Sequence, residues 1–239
     1  MAERIREVET RTRRITTMVP TGWAPMDDAL GGGLAGGALH EWFGVIDAPQ
    51  TRTQRWTPPL LILSHLVRQS VRASKERPWC LWVGERVWPT PHGMMGLESD
   101  HRGILARSLF VAPSTEGERT WAIDLALRVA GLVVIADASS LSMASTRRLQ
   151  LAAEAGGSLG LLARPPHERG ELSAASTRWE ITRSVSTSEN PCWQVQLSRC
   201  KGLQAIGTHT VVVERNHGGA VIPVPADLPL RSRPAALAS

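Results

Sequence analysis

A phosphate-binding loop follows an apolar strand and reads G-x-x-x-x-G-K-[ST]. Small residues let backbone N–H groups wrap the phosphates, and the lysine neutralises the outer ones. The strand and the first glycine are present in "ALHEWFG", which ends at Gly44. The next diagnostic positions hold Pro49, Gln50 and Thr51. Proline removes an N–H donor and fixes φ, glutamine supplies no cation, and only the threonine hydroxyl is retained. Asp137 closes the apolar run "GLVVIAD", where a carboxylate would reach Mg²⁺ through the loop hydroxyl. Glu85 closes "WCLWVGE", where a water-activating carboxylate would sit. The chemistry implied is nucleotide hydrolysis, but the residues that grip the nucleotide are missing. Gly44, Pro49, Gln50, Thr51, Glu85 and Asp137 are therefore read as a vestigial nucleotide site, with no catalytic residue, cofactor or metal assigned.

Other motifs carry less. "GGGLAG" (Gly31–Gly36) matches G-x-G-x-x-G, but it precedes a strand instead of joining a strand to a helix, so it reads as a turn. Cys80, Cys192 and Cys200 lack C-x-x-C spacing, and the seven histidines are scattered. A structural zinc site is not expected, and the cysteine usage fits a reducing cytoplasm. No window approaches ~18 uninterrupted apolar residues, so no membrane span is expected. The charged N-terminus "MAERIREVETRTRR" is not a secretory signal.

The net charge is +5, and every basic residue except Lys75 and Lys201 is arginine. Arg4, Arg6, Arg11, Arg13 and Arg14 concentrate in an N-terminal arm, residues 1–19. Any single-stranded DNA binding is expected to be weak, sequence-independent, salt-sensitive and led by these arginines. Beyond residue 225 the tail is rich in proline and alanine. It is expected to be disordered alone, with Leu228, Leu230 and Leu237 able to order on a partner.

The elements that must position these residues follow from periodicity. "PPLLILSHLVRQSVRAS" opens with proline where a helix tolerates it and carries a broad apolar stripe. "TWAIDLALRVA" and "MASTRRLQLAAEAG" read as two more helices, and Pro25–Leu30 as a short one. "ALHEWF", "WCLWVGE", Leu109–Ala112, "GLVVIADAS" and "SLGLLAR" read as strands, and the continuous apolar run of "GLVVIADAS" suits a strand covered on both faces, as in a parallel sheet. Gly44–Thr57 reads as a polar loop. "TRWEITRSV", "CWQVQLSRC" and "THTVVVERN" have no helix between them and predict an antiparallel extension. The expected fold is α/β, with a mostly parallel sheet flanked by helices.

The lead-in "TGWAPMDDALGGGLAGGALHEWFG" resembles that of RecA-type ATPases, T-G-x(4)-L-D-x-x-L-G-G-G-L-x-x-G, with Met26 at the usual leucine and Asp27 keeping the acid. "TRRLQLAAEAGG", "SAASTRWEI" and "CWQVQLSRCKG" are more specifically similar to ImuA proteins, RecA-like accessory factors of bacterial translesion synthesis. The resemblance spans roughly Pro20 to Pro225 and implies a RecA-like P-loop-type core over 20–225. It implies an SOS-induced role beside an ImuB-type Y-family polymerase homologue and RecA, with an error-prone replicative-type polymerase joined indirectly. ImuA proteins are generally divergent in the P-loop, in keeping with Pro49 and Gln50. The DNA-contacting loops of RecA are reduced here to "ASSLSMAST" and "PPHERGELS" (Pro165–Ser173), so strand exchange is not expected. Two alternatives stand beside this reading: a SulA-like cell-division inhibitor binding FtsZ, and an unconventional DNA-dependent ATPase.

Overall fold

Three strands are buried at every position: β3 (Ala38–Phe43), β8 (Val133–Asp137) and β9 (Leu159–Arg164). Such strands need a neighbour along each edge and a layer over each face. Both are present in the computed structural model, which describes residues 17–46, 56–76, 78–89, 104–184, 190–202, 209–215 and 221–224. The other strands of the main sheet are β6 (Cys80–Val83), β7 (Ser108–Val111), β10 (Thr177–Ser184), β11 (Cys192–Cys200), β12 (Thr210–Arg215) and β13 (Val221–Pro223). The sheet has nine strands in the order β13-β12-β11-β10-β3-β9-β8-β6-β7. The six from β10 to β7 are parallel, and β11, β12 and β13 add antiparallel. The first segment of the expected antiparallel extension is thus the pivot: β10 is parallel to β3 and antiparallel to β11.

One face of the sheet is covered by α1 (Ala24–Leu30) and α2 (Leu60–Ala73), the other by α3 (Glu116–Leu127) and α4 (Met143–Gly156). Tryptophan fills the first layer: Trp23, Trp42, Trp82 and Trp179 are fully buried, and Trp42 stacks on Trp179 with centroids 4.8 Å apart. The second layer is aliphatic, with Leu39, Ile123, Val134, Leu149 and Leu162. Among the described residues no helix is long and apolar enough to cross a membrane.

The lead-in motif has a structural explanation. Asp27 Oδ1 accepts from Thr21 N (2.6 Å) and Thr21 Oγ1 (2.8 Å), and Oδ2 from Gly22 N (3.1 Å), tying the turn to α1. Gly22 has φ +80°, and a side chain there would meet Gln69. Beyond α1, β1 (Met18–Val19) pairs antiparallel with β2 (Leu34–Ala35), and Gly33 lies so close to Val19 that a Cβ would strike its carbonyl. These residues build the approach to β3.

Two buried histidines are neutral parts of the first layer. His40 donates from Nε2 to Ala35 O (3.0 Å) and accepts at Nδ1 from Thr177 Oγ1 (2.7 Å), which itself accepts from Trp179 Nε1. Burial pulls the His40 pKa down to about 4. His65 stacks on Trp23 and donates to Thr21 O (2.8 Å); burial likewise lowers it to about 4.

Candidate functional site

The carboxyl ends of parallel strands are where α/β sheets bind ligands. Gly44 follows β3, Glu85 follows β6, and Asp137 ends β8, so the fold brings these three residues to one rim. Pro49, Gln50 and Thr51, the arm arginines Arg4 to Arg14 and the tail leucines Leu228, Leu230 and Leu237 lie outside the described residues.

Around Gly44 the chain turns back on itself. Segments expected as part of a polar loop form an antiparallel ribbon, β4 (Val45–Ile46) with β5 (Trp56–Thr57). Gly44 N donates to Arg164 O (2.9 Å), and a Cβ on Gly44 would collide with Thr57 O and the Trp56 ring. The glycine makes room for the ribbon. Pro58 and Pro59 then lead into α2, which starts at Leu60 with no side-chain cap and no acidic residue in its first turn. A phosphate-binding loop places its hydroxyl residue in the first turn of the following helix, and here that turn begins at Leu60.

From Gly44 a line of contacts runs to Asp137. Trp56 covers the glycine. The Arg86 guanidinium carbon lies 5.2 Å from the Trp56 ring centroid, and Arg86 Nε lies 3.3 Å from Asp137 Oδ2. Arg119 approaches the same oxygen at 3.9 Å and donates to Ser139 O (2.9 Å). Asp137 Oδ1 accepts from Ser139 N (3.0 Å) and Ser139 Oγ (2.6 Å). Both carboxylate oxygens therefore face protein donors. Glu85 begins a 3-10 turn (Glu85–Val87) and is exposed. The rim has a carboxylate, but an internal guanidinium stands where a bound cation would be needed.

A second group of charges on this rim escaped sequence reasoning. Arg164 at the end of β9 is fully buried and donates to Glu41 (2.9 Å), to Glu168 twice (2.9 and 2.6 Å), to Leu141 O (3.2 Å) and to Glu171 (3.3 Å). Burial opposes its charge, but Glu41 and Glu168 outweigh that and raise its pKa. Glu41, also fully buried, accepts from Ser173 Oγ (2.6 Å) and Arg178 Nε (2.8 Å). Glu168 accepts from Ser140 N (2.8 Å), where Ser140 takes φ +65°. The network fastens Pro165–Ser173 to three strands and to the turn after β8. The signal was a charge inside an otherwise apolar strand: Glu in "ALHEWF", Arg ending "SLGLLAR".

Cys80, Cys192 and Cys200 are free, and burial pushes the Cys80 thiol up to about 12, leaving it inert.

No family model matches the chain. Along most of its length, however, it can be aligned with a curated protein. This chain is similar to Protein ImuA of Caulobacter vibrioides. The two are 27% identical over 229 residues, covering 88% of this chain and 90% of the relative, and the match is the same in strains NA1000 and CB 15. The aligned region is too long to be the lead-in motif alone.

Proposed function

We propose that this protein is a non-catalytic, RecA-like accessory factor of SOS-induced mutagenic translesion synthesis, docking with an ImuB-type polymerase homologue and with RecA. The similarity to Protein ImuA over most of both chains supports its place in an ImuA/ImuB mutagenesis system. The lead-in motif and the parallel core β10-β3-β9-β8-β6-β7 support the RecA-like reading. An error-prone replicative-type polymerase joins indirectly.

The observation that carries the non-catalytic part is the contact line Gly44–Trp56–Arg86–Asp137. A magnesium nucleotide would have to lift Trp56 off Gly44 and draw Arg86 away from Asp137, without a lysine to receive the phosphates. The charged rim serves architecture, and the work falls to protein contacts. Residues 1–19 and the tail beyond 225 are the proposed docking segments.

Titration with a fluorescent ATP analogue and Mg²⁺ tests the first point: no saturable micromolar binding is expected. Saturable binding abolished by Asp137→Ala would overturn it. A parallel pull-down with purified ImuB-type homologue, RecA and FtsZ tests the second. The first two should be retained and FtsZ not, whereas capture of FtsZ alone would replace the translesion role with cell-division inhibition. Deleting each end separately should weaken one partner while leaving thermal stability nearly unchanged.

A further inference from the structure

Helix α3 turns Ile123, Ala126 and Leu127 into the core, as an amphipathic helix should. Its outer face is apolar as well. Trp121 is 61% exposed, Leu125 51%, and Val129, just past the helix end, 50%. Trp121 and Leu125, four residues apart, form a ridge on the helix, with Val129 exposed beyond its end. Single exposed apolar residues need no explanation. A ridge headed by tryptophan is different, because tryptophan is the residue type most enriched at the centres of interfaces.

The charges flanking this ridge are ordered by sign. Glu118 lies N-terminal to Trp121, and Arg128 lies C-terminal to Leu125. Both are already held in place. Glu118 Oε2 accepts from Ser114 N (2.8 Å) in the helix cap, and Arg128 is held by Asp124 at 3.1 Å. Asp124 also binds Arg148 of α4 at 3.1 Å, so this side of the helix keeps an excess of positive charge. Side chains fixed before contact lose less entropy on binding.

Read backwards, the order glutamate, tryptophan, leucine, arginine becomes arginine, leucine, tryptophan, glutamate. An antiparallel copy of the same helix, related by a two-fold axis over the outer face at the level of residue 123, therefore sets Trp121 against Leu125 of the second copy and Glu118 against Arg128. Symmetry repeats each pair. Self-complementarity of this kind is what a two-fold interface requires. Identical ridges of residues four apart can also interdigitate, the commonest helix-packing class.

We propose that the outer face of α3 is a homodimerisation surface whose occupant is α3 of a second copy of this chain. With one helix per copy at its centre, the interface belongs to the weaker size class, and micromolar association is expected.

Sedimentation equilibrium of the full chain across the micromolar range should show a reversible monomer–dimer equilibrium. Trp121→Glu should weaken it at least about tenfold, a change of about 1.4 kcal/mol, with the melting temperature unchanged. Glu118→Arg and Arg128→Glu should each weaken self-association by setting like charges opposite one another. Mixing these two variants should restore dimers, because the mixed pair regains both opposite-charge contacts. A folding defect cannot produce that recovery. A chain that stays monomeric, a dimer indifferent to Trp121→Glu, or a mixture without recovery would each overturn the proposal. A monomer whose Trp121→Glu variant loses affinity for RecA or the ImuB-type homologue would also overturn it, assigning the ridge to that partner.

Discussion

Strands β9 and β8 lie side by side, and each ends in a charged residue that meets partners of opposite sign. Arg164 and Glu41 have no exposed side-chain surface and lie 2.9 Å apart, with further hydrogen bonds around them. Asp137 meets Arg86 at 3.3 Å and Arg119 at 3.9 Å, and the Arg86 side chain is 48% exposed. The first arrangement must be complete, because a buried charge that loses its partner keeps its desolvation cost. In the second, Asp137 is itself buried and bonded to Ser139, and only its Arg86 contact is open to solvent screening and contributes little. On one rim, then, the position that resembles catalytic machinery keeps one solvent-exposed partner, and the position with no catalytic resemblance is sealed inside the architecture.

The contrast can be broken at several points. Arg164→Met should be the most damaging change, because it strands Glu41 and Glu168. A loss of about 3–5 kcal/mol is expected in urea unfolding, and a loss below about 1 kcal/mol would show that the network is ornamental. Acid offers a second probe, through groups that belong to neither cluster. His40 and His65 have folded pKa values of about 4, below the usual 6.5, so both fold neutral. Their stabilisation is complete above pH 6.5 and declines as the unfolded chain takes up protons between pH 6.5 and 4. The decline should approach about 3 kcal/mol per histidine. Urea unfolding at pH 7 and pH 4.5 should show it, and His40→Gln should flatten the profile. Gly44→Ala asks whether the glycine is an open cradle or the floor of a ribbon. Collision with Trp56 and Thr57 should cost about 1–3 kcal/mol, whereas an open cradle would accept the methyl group without loss. Arg86→Ala should have the smallest effect, about 1 kcal/mol or less, because its side chain is the exposed member of the Asp137 cluster. A loss matching that of Arg164→Met would erase the distinction between the clusters.

Most of the sheet could be read from pattern. The runs at β8 and β9 carry a charge only at their last residue, that at β3 is interrupted by His40 and Glu41, and Pro58–Pro59 marked the approach to α2. Helix α3 starts earlier than its apolar residues suggest, because Thr115 and Glu118 form a capping pair in a polar stretch. The direction of β10 could not be read locally. Its alternation suits either orientation, and only pairing with a strand far away in sequence decides it. The β4–β5 ribbon was hidden because its two strands are short and separated by polar residues. At the rim, spacing located Gly44, Glu85 and Asp137. It could not show that Arg86 would be placed against Asp137, since such a contact depends on side-chain direction across strands. Nor did the arginine count distinguish Arg164, which is fully buried, from the arginines at the surface.

The place of β3 has a consequence for biosynthesis. Its neighbours are β9 and β10, so the segment Ala38–Phe43 has no partner for one edge until Arg164 has been made and none for the other until Glu180 has been made. At ~5–20 residues per second that wait is on the order of ten seconds. Both edges of the strand that carries Leu39, Trp42 and Phe43 are unpaired until β9 is made, and one stays unpaired until β10 is made, the kind of segment that aggregates or recruits chaperones. Ribosome-bound chains arrested before β10 emerges should be cleaved readily at Trp42–Phe43 by a protease, and chains arrested beyond it should be protected. The protein's second half is thus the folding template for the first, and translation delivers the two in the wrong order.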